Sequence, residues 1–270
     1  LGNFQAVNKP KKDPCKLKYG YHTTVTRGYD NENPCKDRPE VRFSYTEGAE
    51  CDRKKIKDNK GKESGACAPY RRLHVCDQHL SHMKDDKITR HNLLVDVCMA
   101  AKFEAESLEK YRAQYQNKYD DSPSQICTML ARSFADIGDI IRGKDLYIRN
   151  KREKDRLQST LKRIFQKIYK NLMEDVRKDP KKSAEAKERY GSDEDKNFFK
   201  LREDWWDANR AKVWYAITCG AAGGRYFRKT CGKNDSWTEK KCRCAANIRV
   251  PTYFDYVPQY LRWFEEWAED

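Results

Sequence analysis

Two carboxylates three residues apart, Asp136 and Asp139, are the first residues whose spacing suggests chemistry. Acids at i and i+3 share a helix face and can divide the general-acid and general-base roles between them. Cys76, His79 and His82 have the residue types and spacing of half a zinc site. Gly220-Ala-Ala-Gly-Gly224 has the glycine density of a phosphate-cradling loop. None of the three completes a pattern. The aspartates flank an apolar stripe, which predicts solvated charges on a helix face. No second half-site follows His82, and the only close cysteine pair, Cys242-Arg243-Cys244, is too tight for a zinc knuckle. The glycine run lacks the Gly-Lys-Ser/Thr ending and a preceding strand, so it reads as a flexible loop. Histidines 22, 74, 79, 82 and 91 have no Ser or Cys nucleophile partner. The sequence therefore predicts no enzyme, no cofactor and no metal.

What positions these residues is a set of long helices. Ser122-Pro123 is a helix start, with Pro at the first position, where its missing N–H costs nothing. Ile126, Leu130, Phe134, Ile137 and Ile141 then form one stripe of a 3.6-residue period, predicting a helix over 123–142 at the centre of a bundle. Gly138 inside it costs ~1 kcal/mol against Ala and implies the close approach of a bulky group such as a Trp. Leu94, Cys98, Ala101, Ala105, Leu108, Tyr111 and Tyr115 predict an earlier helix ending near Tyr119. Leu157, Leu161, Ile164, Ile168 and Leu172 predict a third, stopped at Asp179-Pro180. Ser192-Asp193 starts a fourth, running through Phe198, Leu201, Trp205 and Val213 to about Thr218. Val257-Pro258 opens a last, carrying Tyr260, Leu261, Phe264 and Trp267. Residues 1–32 read as an extended surface arm. Residues 33–87 hold Cys35, Cys51, Cys67 and Cys76 among turn formers and need staples to fold, and residues 88–270 form the helical part. The fold class is mainly α: a helical bundle with an irregular, disulfide-stapled N-terminal part.

At 270 residues the chain can bury a sizeable core. The charged fraction is 36%, yet six Trp, sixteen Tyr and ten Phe argue against disorder. No apolar run approaches the ~20 residues of a membrane span. Eleven cysteines without metal-knuckle spacing predict an oxidising, extracellular setting. Their odd number leaves one thiol free or paired outside this piece of chain, which reads as excised from a longer protein. Net charge is +14 and unevenly placed: residues 144–182 carry +8, residues 225–249 carry +6, and the last twenty carry −4. Such patches favour a positive binding face for an acidic partner. Asn234-Asp235-Ser236 fits the glycosylation pattern and marks an exposed loop.

Four blocks then point one way: Gly65-Ala-Cys-Ala-Pro-Tyr-Arg-Arg-Leu-His-Val-Cys76, Ser133-Phe-Ala-Asp-Ile-Gly-Asp-Ile-Ile-Arg-Gly143, Arg202-Glu-Asp-Trp-Trp-Asp-Ala-Asn209 and Pro258-Gln-Tyr-Leu-Arg-Trp-Phe-Glu-Glu-Trp267. Over residues 33–270 the chain resembles the Duffy-binding-like domains of malaria parasites. Within that family it is similar to the α-type domain near the N-terminus of the variant erythrocyte membrane proteins of Plasmodium falciparum. The resemblance implies an adhesin on the outer face of the infected red cell, without enzymatic activity. It implies three subdomains, the first Cys-rich, the second a helical bundle and the third absent here, with membrane anchorage lying outside this piece. Its ligands would be heparan-sulfate-like glycans, blood-group sugars or complement receptor type one on red cells, in rosetting. Two rival classes are a secreted nucleic-acid binder, for which no aromatic or helix-turn-helix reading surface is found, and a structural spacer, which needs no clustered charge.

The family pattern also implies Cys35–Cys76 nested around Cys51–Cys67. In the bundle the expected pairs are Cys98–Cys219, Cys127–Cys244 and Cys231–Cys242, the last two free to exchange partners, with Cys15 left over. The expected core groups Trp205, Phe134, Ile137 and Leu201. The expected glycan contacts are Lys11, Lys12, Lys16, Lys18, Arg53, Lys54 and Lys55 on the arm and stapled segment, with a second contribution from Lys151, Arg152 and Arg156. No single cation should be indispensable, because an exposed ion pair is worth only ~0.2–1 kcal/mol.

Overall fold

The helical pattern is realised in a computed structural model that describes residues 13–23, 33–35, 51–54, 56–57, 59, 65–83, 90–116, 125–148, 151–191, 197–221, 224–232, 236–247 and 249–269. In chain order it contains α1 (Tyr19–His22), β1 (Cys51–Asp52), β2 (Ala68–Pro69), α2 (Tyr70–Leu73), α3 (Arg90–Gln116), α4 (Gln125–Arg142), α5 (Lys151–Asp175), α6 (Pro180–Gly191), α7 (Phe199–Ile217) and α8 (Gln259–Glu269). The two short strands pair antiparallel, Cys51 opposite Pro69. No described helix is long and apolar enough to cross a membrane.

Helix α4 is the centre. Its stripe of Ile126, Leu130, Phe134, Ile137 and Ile141 is buried, and so are fifteen of its eighteen residues. A single stripe cannot account for that much burial; α4 is enclosed because α3 and α7 pack on its apolar side while α2 and α8 cover its polar side. Phe134 lies 5.1 Å from the Trp206 ring and meets Trp214 edge-on at 5.3 Å. The bulky group facing Gly138 is Trp206, whose ring carbon would lie 2.8 Å from a Cβ there. Trp205 is also buried but turns to α5, edge-on to Phe165.

Three elements differ from the sequence reading. The third stripe ends at Asp175, and a separate helix, α6, opens at Pro180, with the Asp179 side chain accepting from Lys182 N at 3.1 Å as its cap. Helix α7 begins at Phe199 because Phe198 is left-handed, at φ 58°; the Ser192-Asp193 start lies outside the described residues. Helix α8 buries the opposite face from the one its periodicity suggests. Gln259, Arg262, Trp263 and Glu266 point inward, and Tyr260, Leu261 and Phe264 face solvent.

Five disulfides staple the chain: Cys15–Cys219, Cys35–Cys76, Cys51–Cys67, Cys127–Cys242 and Cys231–Cys244. This corrects the expected Cys98–Cys219 bridge, and Cys15 is not the odd cysteine. Cys98 faces Lys212 O of α7 at 3.8 Å, seven residues before Cys219, which lies just past the end of α7. That is ~10 Å along a helix axis, beyond the reach of a disulfide. Cys98 remains a buried thiol, pushed up to about 12 by desolvation. Cys127 and Cys231 adopt the exchanged pairing that the sequence left open. Cys242 reaches α4 because Gly224 lies directly on the bridge, where a Cβ would stand 2.8 Å from Cys127 Sγ; at that glycine the connection is a packing contact.

The Trp206 contact yields a stability test. Gly138→Ala gains helix propensity, yet its methyl group meets a fully buried indole, and Gly138→Leu overpacks further. We expect the Leu variant to lose ~1–3 kcal/mol and the Ala variant to be no more stable than the parent, read from urea midpoints. A gain in Gly138→Ala would show that the ring yields freely.

Candidate functional site

The Asp136–Asp139 pair is neither solvated nor set up for acid–base chemistry. Both carboxylates are buried because arginines converge on them from two other elements. Arg71 of α2 donates to Asp136 Oδ2 at 2.6 Å, to Ser133 Oγ at 3.0 Å and, through Nε, to Glu266 of α8 at 2.7 Å. Arg262 of α8 donates to Asp136 Oδ1 at 2.7 Å and Asp139 Oδ2 at 2.5 Å. Arg142 donates to Asp139 Oδ1 at 2.7 Å. Arg72 pairs with Asp145 at 2.7 Å, and Gln259 bridges Asp136 and Asp145. Burial alone would raise the Asp136 carboxyl, but the Arg71 and Arg262 charges outweigh it and hold the group well below the usual carboxylate range. Burial raises the Asp139 carboxyl even beside Arg262 and Arg142, and both groups spend their oxygens on the arginines of the scaffold.

The zinc-like triad is dispersed as well. Cys76 is bonded to Cys35, and His82 turns to Gln78 O at 3.1 Å. His79 donates through Nε2 to Asp96 O at 3.1 Å in the core. Among the described residues no three His, Cys, Asp or Glu side chains group as metal ligands.

The surface cations fall into two groups at the two ends of α7. At its C-terminal end lie residues 13–23, the described part of the arm, and they are tied down. Cys15 is bonded to Cys219, Leu17 and Tyr19 enter the core, and Lys102 Nζ donates to the Cys15 and Leu17 carbonyls at 3.3 and 3.4 Å. Lys16 and Lys18 are thereby held exposed over α3 and α7. The sequence reading set the arm beside the stapled segment by adjacency; its described residues 13–23 pack on α3 and α7 of the bundle. Lys241, whose Nζ reaches Cys219 O at 3.5 Å, brings the connection 219–250 to the same end. That connection exposes Arg225, Arg228, Lys229, Lys240 and Arg249, which the sequence reading counted as a charged segment and did not assign to the site. The available signal was Trp237 interleaved among them.

At the N-terminal end of α7, Arg202 donates to the Ile141 carbonyl of α4 and to Gln158 of α5. Here the segment after β1 docks on the chain leaving α4: Ile56 bridges Tyr147, and Lys57 N donates to Leu146 O at 2.8 Å. Lys154 of α5 donates to Asp145 O at 3.1 Å, and its amine is lowered by burial, with Lys57 among the neighbouring charges. Exposed Lys54, Lys57, Arg152 and Arg156 and half-buried Arg53 thus gather at one end. Helix α7, whose two ends these groups adjoin, has nineteen residues and an axis of ~28 Å. Lys11, Lys12 and Lys55 lie outside the described residues, as does the Lys151 side chain.

With this geometry in hand, the comparisons with known proteins are specific. The Duffy binding domain family model matches residues 65–262. The structure is similar to the NTS-DBL1-alpha and CIDR-gamma double domain of PfEMP1 from the Plasmodium falciparum varO strain, at 39% identity and TM-score 0.73, over 95% of this chain and 35% of that one. It is similar to the NTS-DBL1(alpha-1) domain of the same strain's protein, at 37% identity and TM-score 0.69, over 98% and 57%. An ICAM-1-binding PfEMP1 DBLbeta domain matches at 31% identity and TM-score 0.69, over 96% and 55%. No curated protein matches the chain. The chain belongs to the Duffy binding domain family, and it spans between about a third and three-fifths of the length of those solved chains.

His79 makes acid stability measurable. It is fully buried, its Nδ1 has no hydrogen-bond partner, and desolvation lowers it from 6.5 to about 4. The unfolded chain therefore binds the proton first as pH falls, and stability drops between pH 6.5 and 4 by ~3 kcal/mol from this group. His79→Gln, which keeps a donor for Asp96 O, should flatten urea midpoints across that window. Parallel pH profiles for variant and parent would remove His79 as the cause.

Proposed function

We propose that this chain is a receptor-binding module of an adhesin on the infected red-cell surface and that it engages sulfated, heparan-sulfate-like glycan. The observation that carries the reading is the placement of cations at both ends of α7. The start of α5 adds a second support: exposed Arg152 lies in its first turn, where a cation opposes the positive end of the helix dipole, an arrangement that costs stability and is useful when a polyanion neutralises it. Sulfated chains suit this surface better than blood-group sugars, because neutral sugars leave the cations unused. A linear polyanion several sugars long can engage the two ends together.

A second reading, a protein receptor, draws on a different feature. Tyr253, Tyr256, Val257, Tyr260, Leu261 and Phe264 form an exposed aromatic and aliphatic face, of the kind that anchors protein interfaces. The ICAM-1 binding of the DBLbeta relative fits that class of partner. Salt separates the two readings, since counterion release makes the polyanion complex steeply salt-dependent and apolar burial does not.

On a heparin column the parent should be retained at ~0.15 M salt, near the physiological value. A variant with Lys54, Arg152 and Arg156 changed to Glu, and another with Lys16 and Lys18 changed to Glu, should each elute earlier; each single change should shift elution slightly. Parent protein in the flow-through would end the glycan reading. Loss confined to one variant would assign the site to that end of α7.

A further inference from the structure

We propose that Trp237, with Arg225 and Lys229, forms a discrete subsite for one anionic sugar residue; this rests on the glycan reading above and assigns a stacking contact to it. The ring of Trp237 carries two cations, Arg225 at 5.7 Å and Lys229 at 5.6 Å from its centroid. The residue is still 42% exposed with both in place. An indole holds a cation by its quadrupole without neutralising it. Among the described residues no carboxylate pairs with Arg225 or Lys229, and both side chains are exposed.

The site is built on a stapled support. The Cys231–Cys244 bridge closes the loop, and Cys231 and Ser236 exchange backbone hydrogen bonds at 3.0 and 2.7 Å. The Thr238 hydroxyl accepts from Tyr226 N at 2.9 Å, setting the Trp237 segment against the Arg225 segment. Cys127–Cys242 fastens the same segment to α4. A backbone held this firmly loses little freedom on binding, which favours affinity. The ligand that uses all three groups has an apolar ring face for the indole and a sulfate or carboxylate for the cations. That is an acidic or sulfated pyranose. Neutral sugars use the indole alone, and inorganic anions use the cations alone.

The test measures binding of a heparin-derived tetrasaccharide by calorimetry and by Trp fluorescence, beside its desulfated form, a sialylated trisaccharide and a single-stranded oligonucleotide. The parent should bind the sulfated tetrasaccharide and not the desulfated one. Trp237→Ala should weaken it about tenfold, Trp237→Phe less, and Arg225→Ala with Lys229→Ala should lower the salt slope by about two. Preference for the sialylated sugar with the same Trp237 dependence supports the subsite and makes the carboxylate its anion. Parent-like affinity in Trp237→Ala overturns the subsite while leaving heparin-column retention, and hence the wider reading, standing. Tighter, Trp237-dependent binding of the oligonucleotide overturns the saccharide assignment, since bases stack on aromatic rings as well. Thermal midpoints check folding; should Trp237→Ala unfold, the Phe and Arg225/Lys229 variants decide.

Discussion

The interaction on which the rest of the structure depends is the buried meeting of Arg71, Arg262 and Arg142 with Asp136, Asp139 and Glu266. It joins three elements far apart in the chain: α2, α4 and α8. Removing charges from water is expensive, and such a network adds little net stability compared with a well-packed apolar core. Its consequence lies in geometry. A guanidinium fork meets a carboxylate in few ways, so α2 and α8 can settle on α4 in one register. The ring of partners is dense: Ser133 Oγ, accepting from Arg71, donates to Glu104 of α3, and Arg142 also reaches Asp255 O. Asp255 in turn accepts from Trp206 Nε1 at 2.8 Å and from Arg210. The polar network and the Trp206–Gly138 contact are therefore one structure.

This constraint explains why α8 faces the way it does. Hydrophobic burial alone would turn Tyr260, Leu261 and Phe264 inward. Burying Arg262 and Glu266 completes the charges already enclosed on α4, and leaving Asp136 without its arginines costs more than exposing an apolar stripe. An exposed aromatic face follows from that choice. The four sequence blocks that resemble the Duffy-binding-like family supply Arg71, Arg72, Asp136, Asp139, Arg142, Trp206, Arg262 and Glu266. The recognisable motifs build the scaffold, and the candidate binding groups stand outside most of them. A binding face of this kind can vary without disturbing the frame.

Much of the frame was legible because it is local. The period of α4, the Gly138 approach and the start of the last helix near Pro258 each follow from residues close in sequence. What was not legible depends on distance in space. Asp136 and Asp139 read as solvated because their partners, Arg71 and Arg262, lie more than sixty and more than a hundred and twenty residues away. The Cys98 error has the same origin: two cysteines facing one helix at different heights cannot be told apart by spacing. Helix α6 was missed because Asp179-Pro180 reads equally as a stop or as an N-cap with Pro at the first position. For the candidate site, charge counting found the basic segments but could not divide them between the ends of α7. The Trp237 cluster carried a readable signal, an aromatic among cations, hidden in a stretch treated only as a charged connection.

If the buried network fixes the register of α2 and α8 on α4, its charges are energetically coupled across the chain. A double-mutant cycle between Arg71 and Glu266, 195 residues apart, tests it most directly. Urea unfolding of Arg71→Met, Glu266→Met and the double variant gives the coupling free of each residue's packing losses. We expect each single change to cost ~3–5 kcal/mol and the double variant to cost less than their sum by ~1–3 kcal/mol. Strictly additive losses, or single losses near zero, would contradict the claim and leave the apolar core as what holds α8 in place.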